Sequence, residues 1–202
     1  MGAALMTVAG CSTEKISEPE ENRIQSAIEA IPQSESEPEP EPEPTTLVMT
    51  DEEAGDLFLE VVCGINTTVY PYNDALNAAE DEYLAGGDPD MAGVQATAKA
   101  YADAVLQGVT VFDDEYYVWP DSVTTYIRQM KDGYLGHLDP LRQVQQQTDY
   151  GPILSMSWPN AEMPSQKIRY ELSLESDPEV SCVDRGGKLA GLAEESKARK
   201  AG

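Results

Sequence analysis

The chain has 202 residues, of which 37 are acidic and 13 are basic, so its formal net charge at pH 7 is −24. A charge of this sign and size disfavours nucleic acid and anionic lipid surfaces as direct partners, because both select clustered lysine and arginine. No stretch approaches the roughly 20 apolar residues that a membrane-spanning helix requires. The length suits one ordinary domain with some additional chain.

The first eleven residues, MGAALMTVAGC, form a short apolar segment that ends in small residues and a cysteine, as secretory signals do. The sequence VAGC at 8–11 resembles the lipobox of bacterial lipoproteins, in which the bond before the cysteine is cleaved and the thiol carries a diacylglycerol. The resemblance implies that residues 1–10 are a truncated signal segment, that Cys11 is the lipidation site and that translation starts upstream of Met1. The alternative is a cytosolic protein with an incidental cysteine.

Residues 11–46 are predicted to form a disordered linker that begins at the lipidated cysteine, Cys11. From residue 12 to residue 46 there are ten glutamates and six prolines against two basic residues. Such a composition cannot bury enough apolar area to fold, and its like charges repel one another. The segment ENRIQSAIEAI at 21–31 has apolar residues at helical spacing. We interpret it as part of the linker, with a docking peptide as the alternative.

The region from residue 47 to residue 184 contains four segments whose apolar side chains recur about every 3.6 residues, which predicts helices. The first segment begins with TDEE, where Thr50 and Glu53 form a capping box. It ends at the glycines of AGG at 85–87. Pro71 lies inside this pattern, so we expect a kink or a short break in the helix there.

The second helical segment begins with DPD, where we expect Asp88 to be the N-cap, and its apolar face ends near Phe112. The third and fourth segments each follow a tryptophan and a proline, in WPDS at 119–122 and WPNA at 158–161. We interpret both tryptophans as hydrophobic staples onto their own helices. A ligand-stacking pair is the alternative.

The third segment is interrupted by GYLGHLDP at 133–140, which predicts a kink or a restart. The fourth segment covers about 160–174. Four helices with short connections predict an all-α fold, an antiparallel bundle of about four helices over residues 47–184, behind the disordered N-terminal tether. Residues 185–202 are predicted to be a flexible charged tail.

Cys63 and Cys182 are the two cysteines that remain if Cys11 carries lipid. In an exported protein an even pair is expected to be oxidised, so we predict a disulfide between them. Chain entropy predicts that so long a loop stabilises the fold by up to about 4–5 kcal/mol. Pairings that use Cys11 are the alternatives, and lipidation would block them. No C-x-x-C spacing is present, which disfavours a thiol redox or zinc site.

Taken together, these features resemble a group of uncharacterised small lipoproteins of actinobacteria. The likeness rests on the lipobox, the acidic proline-rich spacer, LEVVCGINTTV at 59–69, WPD at 119–121 and KIRYELSLESDPEVSC at 167–182. It implies a protein of the cell membrane, lipid-anchored on the extracytoplasmic face, with a disulfide-tied helical domain, and it implies no activity. In that group a proline often follows the first domain cysteine, whereas Gly64 stands there in this chain.

The sequence contains no G-x-S-x-G, H-E-x-x-H or P-loop motif. The single histidine, His137, lies in the interrupted part of the third segment. We interpret it as a surface or kink-filling residue, with a catalytic base as the alternative. Acidic clusters at 86–90 and 112–117 lack the spacing of an EF-hand loop, so no metal site and no cofactor are predicted.

Two classes of function fit this sequence. The favoured class is a membrane-anchored binding or scaffolding module, without enzymatic activity, for an envelope protein or a small ligand. Its candidate ligand contacts are Tyr116, Tyr117 and Trp119 in the aromatic connection VFDDEYYVWP at 111–120. The alternative is an extracytoplasmic cell-envelope enzyme that uses acidic residues, for example on glycans, and this requires two carboxyls about 5–9.5 Å apart across a cleft.

Overall fold

The computed structural model describes residues 46–159 and 161–202. The predictions for the signal segment, Cys11 and the linker up to residue 45 lie outside the described residues. The predicted all-α fold is confirmed, with six α-helices and two strands of two residues each. In chain order the elements are β1 (Leu47–Val48), α1 (Asp51–Leu84), α2 (Met91–Phe112), β2 (Tyr117–Val118), α3 (Asp121–Val144), a 3-10 helix (Gly151–Ser155), α4 (Glu162–Glu171), α5 (Pro178–Ser181) and α6 (Leu189–Ala201).

Helix α1 begins at the predicted capping box. The N–H of Glu53 donates to the hydroxyl of Thr50, and the Glu53 carboxylate accepts from the N–H of Thr50 at 2.8 Å. The helix continues through Pro71 without the expected break. Pro71 is exposed and its neighbour Tyr72 is buried, so the missing backbone donor lies on the solvent side while the opposite face holds the helix to the core. Gly86, with a φ of +77°, follows its end.

The predicted N-cap of α2 is wrong by two residues. Asp90, rather than Asp88, accepts a hydrogen bond from the N–H of Gly93 at 3.0 Å, because its carboxylate reaches a free donor in the first turn. Helix α3 is also longer than expected, since it runs through 133–140 with Pro140 inside it. Helix α4 is shorter than the predicted segment at 160–174.

Successive long helices are neighbours in space: α1 packs against α2, α2 against α3, and α3 against α4. Short connections join α1 to α2 and α2 to α3 and reverse the chain, as in an antiparallel bundle, whereas a longer connection that contains the 3-10 helix leads to α4. No helix within the two described ranges is both long and apolar enough to cross a lipid bilayer. The centre of the core consists of side chains that are less than 2% exposed, including Phe58, Ile65, Met130, Leu141 and Ile168.

Residues 185–202 are not the flexible tail that their charge suggested. They contain α6, which packs on α2 and α1 and buries Leu189, Ala193 and Ser196. Basic residues of the segment 185–202 pair with acidic residues of α1 and of the α2–α3 connection, in Arg185–Asp56, Lys188–Glu60, Arg199–Asp114 and Lys200–Asp113. The segment is therefore held by a narrow face of small side chains and by charge complementarity.

The predicted disulfide between Cys63 and Cys182 is confirmed, with a Cα–Cα distance of 5.3 Å. It joins α1 to the end of α5. The chain then crosses α1 so closely that the two backbones are in contact. A Cβ on Gly186 would clash with the backbone nitrogen of Gly64. Gly186 also has a φ of +88°, which glycine adopts without strain. Gly64 is required for the same crossing, since a Cβ there would lie 2.6 Å from the Cβ of Leu189.

Candidate functional site

Two of the three predicted ligand contacts line one cavity. Tyr116 and Tyr117 border an open cavity of about 850 Å³ at the connection between α2 and α3. Trp119 does not line this cavity, and its ring packs instead against Phe112 of α2, with ring centroids 5.9 Å apart. The start of the described chain is fixed at the same place, because the N–H of Leu47 donates to the carbonyl of Tyr116 at 2.7 Å.

Five charged residues line this cavity: Asp113, Asp114, Glu115, Arg199 and Lys200. Arg199 of α6 stacks on both tyrosines, since its guanidinium carbon lies 4.6 Å from the ring centroid of Tyr116 and 5.1 Å from that of Tyr117. Its Nε and Nη2 both donate to Oδ2 of Asp114, at 2.8 and 2.7 Å. Nη2 also donates to the hydroxyl of Tyr117 at 3.1 Å. We call Arg199, Asp114, Tyr116 and Tyr117 the Arg199 site, and its guanidinium is paired with a carboxylate of the same chain.

Asp114 is 4% exposed and is the one buried carboxylate within residues 46–159 and 161–202. Burial raises the pKa of Asp114, but hydrogen bonds from Arg199, Ser196 and the N–H of Tyr116 outweigh it, so this pKa lies below its ordinary value. Burial alone would lower the pKa of Arg199, but the hydrogen bond to Asp114 outweighs this effect, so the pKa of Arg199 lies above its ordinary value. The Arg199 site is therefore electrostatically satisfied by its own residues.

A second cavity, of about 540 Å³, is bordered by α1, α3, α4, α5 and the connection before α4. We call it the Arg169 site. No motif pointed to it, because its residues come from distant parts of the chain. Its lining combines aromatic, polar and small apolar side chains with one carboxylate, that of Glu162: Val62, Asn66, Tyr70, Tyr134, His137, Trp158, Pro159, Ala161, Glu162, Ser165, Gln166, Arg169 and Pro178.

His137 holds one wall of the Arg169 site in place. Its Nε2 lies 2.7 Å from the carbonyl of Pro159, and its Nδ1 lies 2.6 Å from the hydroxyl of Tyr101. Because a carbonyl only accepts hydrogen bonds, Nε2 donates to Pro159, and Nδ1 shares a hydrogen bond with the Tyr101 hydroxyl. His137 is therefore neither a surface residue nor a kink filler, and both of its ring nitrogens are engaged by the chain.

Trp158 forms the adjoining part of this wall. Its ring contacts His137 edge-on, with centroids 6.0 Å apart, and lies at the same distance from Tyr72 of α1. These ring partners belong to α3 and α1. Trp158 and Trp119 do not form a stacking pair, because they belong to different regions. Trp158 is 36% exposed, which leaves part of the indole available to a ligand.

Arg169 of α4 is 1% exposed. Its Nη1 donates to the carbonyl of Glu175 and to the hydroxyl of Ser181, both at 2.7 Å, and its guanidinium lies 5.6 Å from the ring centroid of Phe58. Nε and Nη2 are buried and donate to no residue in the described part of the chain. The ion pairs formed among those residues also do not include Arg169.

Burial lowers the pKa of Arg169, while the neighbouring tyrosines and carboxylates act in the opposite direction. An arginine remains charged at neutral pH even after such a shift. The same surroundings raise the pKa of Tyr134, again through burial, so its hydroxyl is neutral. The Arg169 site therefore presents a buried positive charge beside aromatic walls, with the carboxylate of Glu162 also in its lining.

Comparisons with known protein families, curated proteins and solved structures find no match to this chain. Over residues 46–159 and 161–202, no group of three or more His, Cys, Asp or Glu side chains is placed to hold a metal ion. The function is therefore inferred from the geometry of the two arginine sites.

Proposed function

We propose that this chain is a lipid-anchored, extracytoplasmic binding module of the bacterial cell envelope and that the Arg169 site holds its ligand. One observation supports the choice of site: a cavity of about 540 Å³ combines aromatic walls with a buried charge that has unpaired N–H groups. Small-molecule sites are typically concave and largely apolar, with a few convergent polar groups. The Arg169 site is concave and has convergent polar groups, although its polar and apolar surfaces are about equal in extent.

The Arg199 site also borders a cavity, but it is the weaker candidate. Its guanidinium stacks on Tyr116 and Tyr117 and is fully engaged by Asp114. A ligand anion there would have to compete with a carboxylate that the fold already holds in place. The chain's own ion pair therefore satisfies the chemistry that a ligand would otherwise supply.

The anchor is supported by the VAGC motif and by the disulfide. Pairing of Cys63 with Cys182 leaves Cys11 as the remaining thiol, and a structural disulfide fits an oxidising compartment. The acidic domain has no attraction to anionic headgroups. Membrane affinity would then come from the acyl chains, at about 0.8 kcal/mol per buried methylene.

Binding in the cavity can be followed through Trp158. The chain has two tryptophans, so a Trp119→Phe variant leaves Trp158 as the sole indole. We expect 3-phenylpropionate or its neutral amide to change Trp158 fluorescence saturably in this parent. Ser165 lines the cavity and is half-buried, so Ser165→Phe should fill the space and abolish the change. Ser122→Phe, at an exposed position of α3 outside the cavity, is the matched control.

If neither probe binds the parent, or if Ser165→Phe binds as well as Ser122→Phe, the proposed ligand site is wrong. Circular dichroism of each variant establishes that its helices are intact. The two Phe variants add the same side chain, so a loss confined to Ser165→Phe comes from occlusion of the cavity.

The anchor is tested separately by Cys11→Ala, expressed with any upstream start in a bacterium that processes lipoproteins. We expect the variant to lose metabolic labelling with a palmitate analogue. It should also leave the membrane fraction, or be held only by an uncleaved leader. Retention of the label and of the original migration would show that VAGC is not a lipobox.

A further inference from the structure

We infer that the Arg169 site selects ligands with a carboxylate, which accepts hydrogen bonds from Nε and Nη2 of Arg169. The ligand class is then a small organic acid with an aromatic or apolar body. The inference rests on the proposed function, because it names the chemistry of that same cavity.

The free edge of Arg169 is the edge that binds carboxylates best. The N–H groups of Nε and Nη2 lie in the guanidinium plane along the same edge and point in parallel, so they match the two oxygens of a carboxylate. The other parts of the group are engaged, since Nη1 binds Glu175 and Ser181 and the Phe58 ring lies 5.6 Å away. Because Arg169 lines the cavity, this edge is the part left for a ligand.

The Arg199 site shows the same edge of a guanidinium paired with a carboxylate in this fold. There the equivalent nitrogens, Nε and Nη2, both donate to a single oxygen, Oδ2, of Asp114. At the Arg169 site the same two nitrogens have no partner among the described residues. A buried charged donor without a partner is costly, so an anion that enters the cavity gains the full value of the pairing.

Nε and Nη2 of Arg169 are both buried, so a carboxylate in the cavity reaches them only after a neighbouring side chain moves. Gln166 is suited to this movement. It lines the cavity, it is half-buried, and its amide donates one long hydrogen bond, of 3.4 Å, to the carbonyl of Ser176. A bond of that length is weak, so a rotamer change at Gln166 costs little.

The rest of the cavity specifies the body of the ligand. Tyr70 and Trp158 are partly exposed at the rim, and Tyr134 is buried beside the arginine. Aromatic side chains of this kind pack edge-on or offset against a ring or an aliphatic chain. A ligand with a short linker between ring and carboxylate can contact this rim while its anionic end pairs with Arg169.

The test compares 3-phenylpropionate with 3-phenylpropionamide, two molecules of nearly the same shape that differ in charge. In the Trp119→Phe parent, we expect the acid to bind about 10- to 100-fold more tightly than the amide, the range of a hydrogen bond to a charged group. Arg169→Met should bind the two probes equally. Arg169→Lys keeps the charge without the planar fork and should lose most of the preference. Arg142→Met removes an exposed arginine of α3 and should leave the preference unchanged.

The outcomes separate this inference from the proposed function. Equal affinity for acid and amide in the parent overturns carboxylate selection and leaves the cavity as a ligand site. Binding of neither probe contradicts the proposed function and the inference together. A preference that survives in Arg169→Met, with its fold verified by circular dichroism, also overturns the inference. The parent comparison needs no variant of Arg169, so it holds even if a variant fails to fold.

Discussion

The Arg199 and Arg169 sites contain the same side chain in opposite states. Both guanidinium groups lie near aromatic rings, and both use part of their donors within the chain. Arg199 completes its pairing with Asp114, which is buried beside it. Arg169 is the more deeply buried of the two and leaves two donors without a partner in the described residues.

The difference separates a structural ion pair from a binding feature. An ion pair between a buried carboxylate and a partly exposed arginine that satisfies both partners links two elements, here α6 and the α2–α3 connection. A buried cation with unpaired donors destabilises the fold that contains it. Local features that oppose stability are typical of functional sites, because the missing interaction is supplied by a ligand. The predictions below test whether the two sites differ in this way.

The largest expected effect comes from removing the disulfide, which lies next to the hydrogen-bond partners of Arg169 and away from Arg199. Ser181, which accepts from Arg169, directly precedes Cys182 of the disulfide. Because the bond closes a loop between residues 119 apart, its removal in a Cys63→Ala, Cys182→Ala variant should lower the free energy of unfolding by about 3–5 kcal/mol. Urea unfolding measures this loss. Equal stabilities of the parent and the double variant would show that the bond does not support this region.

The second prediction compares the two arginines directly. Arg199→Met leaves the buried Asp114 without its cationic partner and should lower the free energy of unfolding by about 3 kcal/mol. Arg169→Met removes an unpaired buried charge at the expense of two hydrogen bonds, and should change it by less than about 1 kcal/mol in either direction. Urea unfolding of both variants at neutral pH gives the two values. Similar losses in the two variants would contradict the distinction.

The third prediction concerns pH. Because the pKa of Asp114 lies below its ordinary value, its contribution to stability is full above the unfolded pKa, about 3.9, and is lost as the pH falls through the folded pKa. In Arg199→Met the unpaired carboxyl should have a raised pKa, so acid relieves its burial. The difference in unfolding free energy between parent and variant should therefore shrink from about pH 5 to about pH 3. A difference that does not vary with pH would exclude Asp114 as its source.

The sequence predicted those features of the fold whose signals are local or few in number. The capping box at Thr50 needs only four residues, and the helices follow from their apolar spacing. The pairing of Cys63 with Cys182 followed from cysteine number, once Cys11 was assigned to lipid. The α6 helix was missed because its buried face is made of small side chains such as Ala193 and Ser196, which leave a weak apolar period beside many charges.

The two sites differed in predictability for the same reason. Tyr116 and Tyr117 are adjacent in an aromatic connection, so one stretch of sequence was enough to predict a ligand-contacting surface there. The sequence did not predict that Arg199 lies beside them, because it did not predict α6. The Arg169 site joins residues of four helices and a connection, and no short motif contains them. Isolated residues such as Arg169 and His137 gain their chemistry only from burial and from partners that the fold supplies.

The most direct measurement is a titration of the ¹⁵N-labelled protein with 3-phenylpropionate, followed through the Nε–H signals of its arginines. We expect a saturable shift of the Arg169 Nε–H signal as the carboxylate pairs with Nε and Nη2. The Nε proton should also exchange more slowly with solvent. The Arg199 signal should stay unchanged, because Asp114 already occupies its fork. If Trp158 fluorescence reports binding while the Arg169 signal stays unchanged, the ligand does not pair with Arg169. Equal shifts of the Arg169 and Arg199 signals would likewise contradict selective binding at the Arg169 site.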